Sequence, residues 1–263
     1  MELEQSEYRS MEFEGNSIFS TNEFWNLFNK NPKILKEILF ASNKNKIKIK
    51  GFNVYYTHVE AEVKKKPTLE VYVKVGNFIE GNPIKRNEFF SNKSPEREFF
   101  NYLKLKKIKK NYSKNQRDSI LFAEPLFCYH DFSNQKSYIV TIAAKNTITL
   151  EKLLDMEKLN PEIKIGAIET ARKALELFHK KGIIYRDVNP GNILISRTTK
   201  GKCTLIDPEY VLFHEDEFLQ KIIKLTDKSF EEIAREEIQI LKAYTHYDEL
   251  LWNYQIKNST ITP

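Results

Sequence analysis

Apolar residues are spaced unevenly along this 263-residue chain, and the spacing changes character twice. Residues 1–20 hold no sustained period and are expected to be weakly ordered. Ser20-Thr21-Asn22-Glu23 then reads as a helix start, with Ser20 and Glu23 at capping-box spacing. Phe24, Trp25, Leu27 and Phe28 follow on that helix. Asn31-Pro32 breaks it, and a second turn runs through Ile34, Leu35, Ile38 and Leu39. Asn43 to Asn45 is polar linker, so residues 1–46 are predicted to be an N-terminal helical extension.

From Ile47 the pattern shifts to period two or to short apolar runs, the mark of strands. Predicted strands are 47–56, 59–63, 69–75, 121–128 and 137–141. One helix interrupts them, opened by Ser94-Pro95-Glu96 and continued by Phe99, Phe100, Leu103 and Leu105. Residues 47–145 therefore read as a strand-rich unit with one helix inserted after its third strand. After Thr149 the chain turns helical, beginning with Leu150, Leu153 and Leu154. Asn160-Pro161 opens a long amphipathic helix with Ile165, Ile168, Ala171, Ala174, Leu175 and Phe178 on one face. Lys180-Lys181-Gly182 closes it. Residues 183–192 are loop by composition. Two short apolar runs, 193–196 and 203–206, flank the hairpin signal Thr198-Thr199-Lys200-Gly201. Helices are predicted again at 216–225 and 229–244, which makes 146–263 a second, mainly helical unit.

A hydrophobic content of 41% with 13% aromatics supports a packed core, and no apolar run is long enough for a membrane span. The start, Met1-Glu2-Leu3-Glu4-Gln5, lacks the basic and apolar segments of a signal peptide, so a cytoplasmic location is expected. Cys128 and Cys203 form no metal-ligand spacing and read as small buried strand residues. The net charge of +6 is asymmetric. Residues 44–110 hold 17 Lys/Arg against 7 Asp/Glu, whereas 207–263 hold 6 against 12. A basic first half suits a polyanionic partner, or is simply a solvated surface.

The chemistry gathers in one stretch. Asp187 and Asn192 stand five residues apart in the loop, and Asp207 follows the apolar Thr204-Leu205-Ile206. Phosphoryl transfer needs little covalent work from a protein. It needs metal ions on the phosphates, a carboxylate to accept the attacking hydroxyl's proton, and a cation on the leaving phosphates. Asp187 can accept the proton, while Asn192 and Asp207 offer the hard oxygens that Mg²⁺ prefers.

Here the chain resembles the protein-kinase-like superfamily over about residues 47–225. Tyr185-Arg186-Asp187-Val188-Asn189-Pro190-Gly191-Asn192 is similar to its catalytic loop, and Asp207-Pro208-Glu209 takes the place of D-F-G. Val71-Tyr72-Val73-Lys74 resembles the third-strand lysine motif. Glu98 falls where the lysine's partner on the inserted helix would be, with Glu96 as the alternative. The resemblance implies an α+β, bilobal protein-kinase-like fold: a small antiparallel β-sheet lobe with one inserted helix, and a truncated, mainly helical second lobe. It implies ATP and Mg²⁺ as cofactors. Lys74, Glu98 and Asp187 become catalytic, and Asn192, Asp207 and Glu209 become metal ligands. Adenine is expected near Val140, Ile142 and Ala144, on backbone amides of the hinge. His179 resembles a packing histidine and receives no catalytic role.

The departures narrow the branch. No G-x-G-x-x-G precedes Lys74, and Lys50-Gly51-Phe52 is the one candidate for a phosphate-covering turn. Asp-Pro-Glu lacks the glycine of D-F-G. Asn189 stands where protein kinases place lysine. Only 56 residues follow Asp207, without an A-P-E segment. These features resemble an atypical branch that includes the lipopolysaccharide-core (Kdo/heptose) kinases, the RIO-type kinases and other small kinases; the resemblance favours the lipopolysaccharide-core kinases, whose D-L-H-P-G-N loop is similar to Asp187–Asn192. Tyr138-Ile139-Val140-Thr141 and Thr149-Leu150-Glu151-Lys152 are similar to their hinge strand and following helix. The implied acceptor is a hydroxyl on a lipid-linked sugar, with peripheral contact to an anionic membrane face and no nucleic acid. The alternatives are a minimal Ser/Thr protein kinase acting on a partner protein, and a pseudokinase binding module.

Overall fold

In the computed structural model, which describes residues 7–39, 47–48, 54–63, 66–77, 95–113, 120–134, 136–199 and 201–259, the fold is mixed α+β. The chain forms two compact units. Met1–Lys106 with Ala123–Ala143 makes the first, and Lys107–Phe122 with Ala144–Pro263 the second.

The first unit opens with strands β1 (Arg9–Phe13) and β2 (Asn16–Ser20), where weak order was expected. Glu14 and Gly15, with φ of 52° and 76°, form the turn between them. Two successive left-handed residues give the tight hairpin turn that matches strand twist. Its usual signal is Asn-Gly or Asp-Gly, so Glu-Gly leaves little trace in the sequence. Helices α1 (Asn22–Lys30) and α2 (Lys33–Leu39) follow. The capping box expected at Ser20 does not form. Ser20 ends β2, and Thr21 caps α1 by accepting from the Phe24 amide at 3.3 Å. Residues 1–46 are thus not helical throughout: a hairpin precedes the helices.

Strands β3 (Ile47–Lys48), β4 (Val54–Val63) and β5 (Lys66–Asn77) continue the sheet. The strands predicted at 47–56 and 59–63 merge where described, because β4 pairs with β5 across the polar Thr57-His58 step. Helix α3 (Pro95–Lys110) comes next, then β6 (Ile120–Phe122), which belongs to the second unit, then β7 (Pro125–Asp131) and β8 (Lys136–Ile142). The predicted strand 121–128 is split in two, since Pro125 lacks an amide and resists a continuous ladder. Strand order is β1-β2-β7-β8-β5-β4-β3, antiparallel throughout.

Pairing sorts the side chains onto two faces, because directly opposed residues point the same way. Val73 opposes Val140, and Val71 opposes Ile142. This face packs on α1 and α2 around Phe24, Phe28, Ile34, Leu35, Ile38 and Phe127, with Phe24 and Phe127 rings 4.3 Å apart. Burying each large apolar side chain is worth about 1.5–3 kcal/mol, so the N-terminal helices are part of this unit's core. The other face, carrying Lys74, Cys128, His130, Ser137 and Ile139, receives α3.

In the second unit, β9 (Thr147–Thr149) and α4 (Leu150–Leu154) precede α5 (Pro161–His179). Asn160 caps α5 through its side-chain oxygen on the Glu162 amide, and Gly182 ends the exit turn with φ of 70°. A Cβ on Gly182 would lie 2.8 Å from His214 Cβ, so the position requires glycine for space as well as backbone. Strand β10 (Ile183–Ile184) starts the stretch expected to be loop. Two residues are too few to show a period. Strands β11 (Ile193–Ser196) and β12 (Cys203–Leu205) form the expected hairpin, and β13 (Leu212–Phe213) pairs with β10. A four-stranded sheet runs β6-β12-β11-β9, with β6 parallel to β12. Helices α6 (Glu217–Thr226), α7 (Phe230–Tyr244) and α8 (Tyr247–Ser259) complete the chain as described, α7 opening on a Ser229/Glu232 capping box. Among the described residues no helix is long and apolar enough to cross a membrane. Both cysteines are buried, and burial raises the Cys128 thiol well above its usual range and the Cys203 thiol to about 12.

The cap assignment separates two substitutions. Thr21→Ala should lower stability by about 1 kcal/mol in urea denaturation. Ser20→Ala should cost far less, because among the described residues the buried Ser20 hydroxyl has no hydrogen-bond partner to lose.

Candidate functional site

In the second unit, one buried carboxylate organises the polar loop. Glu237 lies on α7 among Ala234 and Leu241, in the stripe that α7 buries, and is 3% exposed. Its Oε2 accepts from His179 Nε2 at 2.7 Å and from the Tyr185 amide at 3.2 Å, and its Oε1 accepts from the Arg186 amide. Arg186 sits at φ of 67°, and this left-handed residue turns two successive amides toward one carboxylate. An unpartnered buried carboxylate would cost several kcal/mol, so all three bonds are needed to hold it there.

The loop beyond is fastened at every step. Val188 and Pro190 are buried anchors. Asn189 Oδ1 accepts from the Gly191 amide at 2.8 Å, so the asparagine caps the 3₁₀ turn Pro190–Asn192. Asn192 Nδ2 donates to Asp187 Oδ2 at 2.8 Å, which turns its amide oxygen away from the aspartate. Backbone bonds extend the frame: Ile206 N donates to Asn192 O at 3.0 Å, and the Tyr185 hydroxyl donates to Ile206 O. Ile206 is thus held by both its amide and its carbonyl. Asp207 follows in a left-handed conformation, φ 60° and ψ 57°, and Pro208 begins a 3₁₀ turn ending at Tyr210. A non-glycine residue in that region costs roughly 1–2 kcal/mol, which the fixed neighbours sustain.

The oxygen donors of this stretch suit a hard divalent cation. Asp207 and the buried Glu209 place carboxylate oxygens within 4.8 Å of each other. The Asn192 amide oxygen is the neutral member that such a set can use. Two carboxylates and an amide oxygen could hold Mg²⁺ while leaving positions for water or phosphate.

In the first unit, Lys74 Nζ lies 2.8 Å from Glu98 Oε2, with the glutamate side chain 5% exposed. The choice between Glu98 and Glu96 is thereby decided by geometry. Glu96 reaches His130 Nε2 at 3.0 Å instead. Val140 and Ile142 point away from Lys74, since both belong to the face packed on α1 and α2. Their side chains cannot contribute to a ligand held by Lys74. The Ile142 and Ala143 amides are also occupied, donating to Glu124 O at 2.8 Å and Glu70 O at 2.9 Å. Ala144 follows, and its carbonyl accepts from Thr147 Oγ1 at 3.1 Å. Lys50-Gly51-Phe52 lies outside the described residues.

Glu237 was not singled out from the sequence. Its signal is a charged residue inside an apolar stripe, at helical spacing from Ala234 and Leu241. His179, read as packing, is that carboxylate's partner. Glu237→Ala should destabilise the protein by about 3–5 kcal/mol in chemical denaturation, because two amides and an imidazole lose their acceptor. Glu237→Gln, which keeps one oxygen acceptor, should cost less. Compared with protein-family models and with curated proteins, the chain matches none.

Proposed function

We propose that this protein is an ATP-dependent phosphotransferase with a bilobal, protein-kinase-like fold, which moves the γ-phosphate to a hydroxyl. The observation that carries the reading is the Asp187–Asn192–Asp207 arrangement: one carboxylate is hydrogen-bonded to the amide at 2.8 Å, and the backbone that carries the other is fixed through Ile206. Turn residues serving only the backbone would not need a carboxylate and an amide side chain fastened to each other this way. The Lys74–Glu98 pair supplies the cation that the same chemistry requires.

In this reading Asp187 accepts the proton of the attacking hydroxyl as the new O–P bond forms and the bond to the β-phosphate oxygen breaks, releasing ADP. Lys74, oriented by Glu98, neutralises charge on the phosphates of the leaving group. Mg²⁺ held by Asn192, Asp207 and Glu209 would supply further charge neutralisation. Asn189 serves its own turn and offers no cation to the γ-phosphate. That absence separates the loop from the protein-kinase pattern and supports a sugar hydroxyl of a lipopolysaccharide core as acceptor, in keeping with the Asp187-Val188-Asn189-Pro190-Gly191-Asn192 order. A basic first half complements such an anionic, lipid-linked acceptor.

Radiolabelled ATP with Mg²⁺ should yield labelled core oligosaccharide. Label found in polypeptide and never in oligosaccharide would replace this acceptor with a protein. Asp187→Asn should reduce transfer about 10²- to 10⁴-fold without loss of stability. Asp207→Ala should remove metal-dependent turnover. Wild-type rates in both variants would overturn the site assignment. Mg-ATP at 100 times its Kd should add roughly 2.7 kcal/mol of stability, and no thermal shift at all would favour a pseudokinase that serves as a binding module for another partner.

A further inference from the structure

A second polar cluster in the first unit is not used by the chemistry above. His130 on β7 is buried, with its side chain 5% exposed, yet both ring nitrogens are engaged. Nε2 lies 3.0 Å from Glu96 Oε2, and Nδ1 lies 2.7 Å from Ser137 Oγ. A carboxylate has no proton to give, so Nε2 carries the hydrogen of the Glu96 bond, while Nδ1 and the Ser137 hydroxyl share the second bond. The Cys128 sulfur, 3.9 Å from Nε2, and the Phe19 ring, 5.9 Å from the imidazole, pack around it.

Glu96 and Glu98 leave the first turn of α3 in different directions. At about 100° per residue they are roughly 200° apart around the helix axis. Lys74 and His130 stand on the same face of the sheet, on β5 and β7, with β8 between them carrying Ser137. Neighbouring strands are about 4.8 Å apart, so the two attachment points straddle β8 by roughly 10 Å. Phe99, Tyr102, Leu103 and Leu105 bury the body of α3, but a first turn held by one ion pair alone could still roll at the helix end and carry Glu98 off the lysine. A second bond from the other side of the same turn removes that rotation.

We propose that Glu96, His130 and Ser137 form a positioning clamp that sets the roll of α3 and so keeps Glu98 on Lys74. Its consequence for turnover rests on the phosphotransferase reading, but the clamp itself does not. The Lys74–Glu98 pair is its output, and the reactivity of the Lys74 amine reports it directly.

The test is amine acylation of the full chain with an N-hydroxysuccinimide ester, followed by mass spectrometry, with Lys36 as internal reference. Lys36 pairs with Glu14 away from the clamp and is half exposed. Glu96→Ala should raise Lys74 labelling about threefold, within the range that coupling of an ion pair supplies. Lys36 should not change. Glu96→Gln should restore near-native labelling, since its amide oxygen accepts the same imidazole hydrogen. Ser137→Ala should fall between the two. Because the Glu96 side chain is 41% exposed, its substitution avoids the folding risk of replacing the buried His130. Lys74 labelling at the wild-type rate in Glu96→Ala would overturn the clamp, as would Lys74 and Lys36 rising in step. Where phosphate transfer is measurable, Glu96→Ala should lower kcat more than it raises the KM for ATP. A protein that transfers no phosphate, yet shows the labelling pattern, would lose the phosphotransferase reading and keep the clamp.

Discussion

The carboxylate of Glu237 is the constraint on which the second unit's polar loop depends. It is a charge buried inside a helix's apolar face, which is unfavourable unless its oxygens are fully used. The amides of Tyr185 and Arg186 and the ring of His179 use them. Each of these groups is placed by a different element: α5 brings the histidine, the segment after β10 brings the amides, and α7 brings the acceptor. The left-handed backbone at Arg186 is therefore bound into the packing of three elements rather than chosen by local preference.

From that anchor the order passes outward through short bonds. Tyr185 reaches across to Ile206, Asn192 meets both Ile206 and Asp187, and Asp207 is left with one conformation. Rigidity here would serve the proposed phosphotransfer. Groups that stabilise charge during a reaction act best when they need not reorganise, and a loop bonded at nearly every residue meets that demand.

The first unit solves a different problem. Its sheet must bury one face and present the other, and strand parity does both. The residues between Lys74 and its partners in register point to α1 and α2, forming the core around Phe127 and Val140. Those facing α3 include polar groups, and each described above meets a partner there: Lys74 meets Glu98, and His130 meets Glu96 and Ser137. The hairpin of β1 and β2 widens the sheet and seats α1. The N-terminal residues are therefore structural parts of this unit.

Much of the fold was legible because it rests on local rules. The Asn160-Pro161 start of α5, its glycine exit, the β11–β12 hairpin and the Ser229 start of α7 each follow from propensity and spacing within a few residues. The order Lys74, Glu98, Asp187, Asn192, Asp207 could be read for the same reason: residue types at set separations along one chain. What the sequence could not decide depends on contacts between distant segments. Thr21 rather than Ser20 caps α1, because Ser20 is drawn into pairing with Phe127. Glu98 rather than Glu96 meets Lys74, because His130 occupies the other carboxylate. Val140 turns from the lysine because register with Val73 sets its face. Glu237 becomes the acceptor of a loop some fifty residues earlier in the chain. By itself the sequence determined most of the longer helices and strands and which polar residues they carry, since those depend on neighbours along the chain. Only the tertiary structure decided which of those groups meet, since desolvation and hydrogen-bond satisfaction act between residues that the chain order keeps apart.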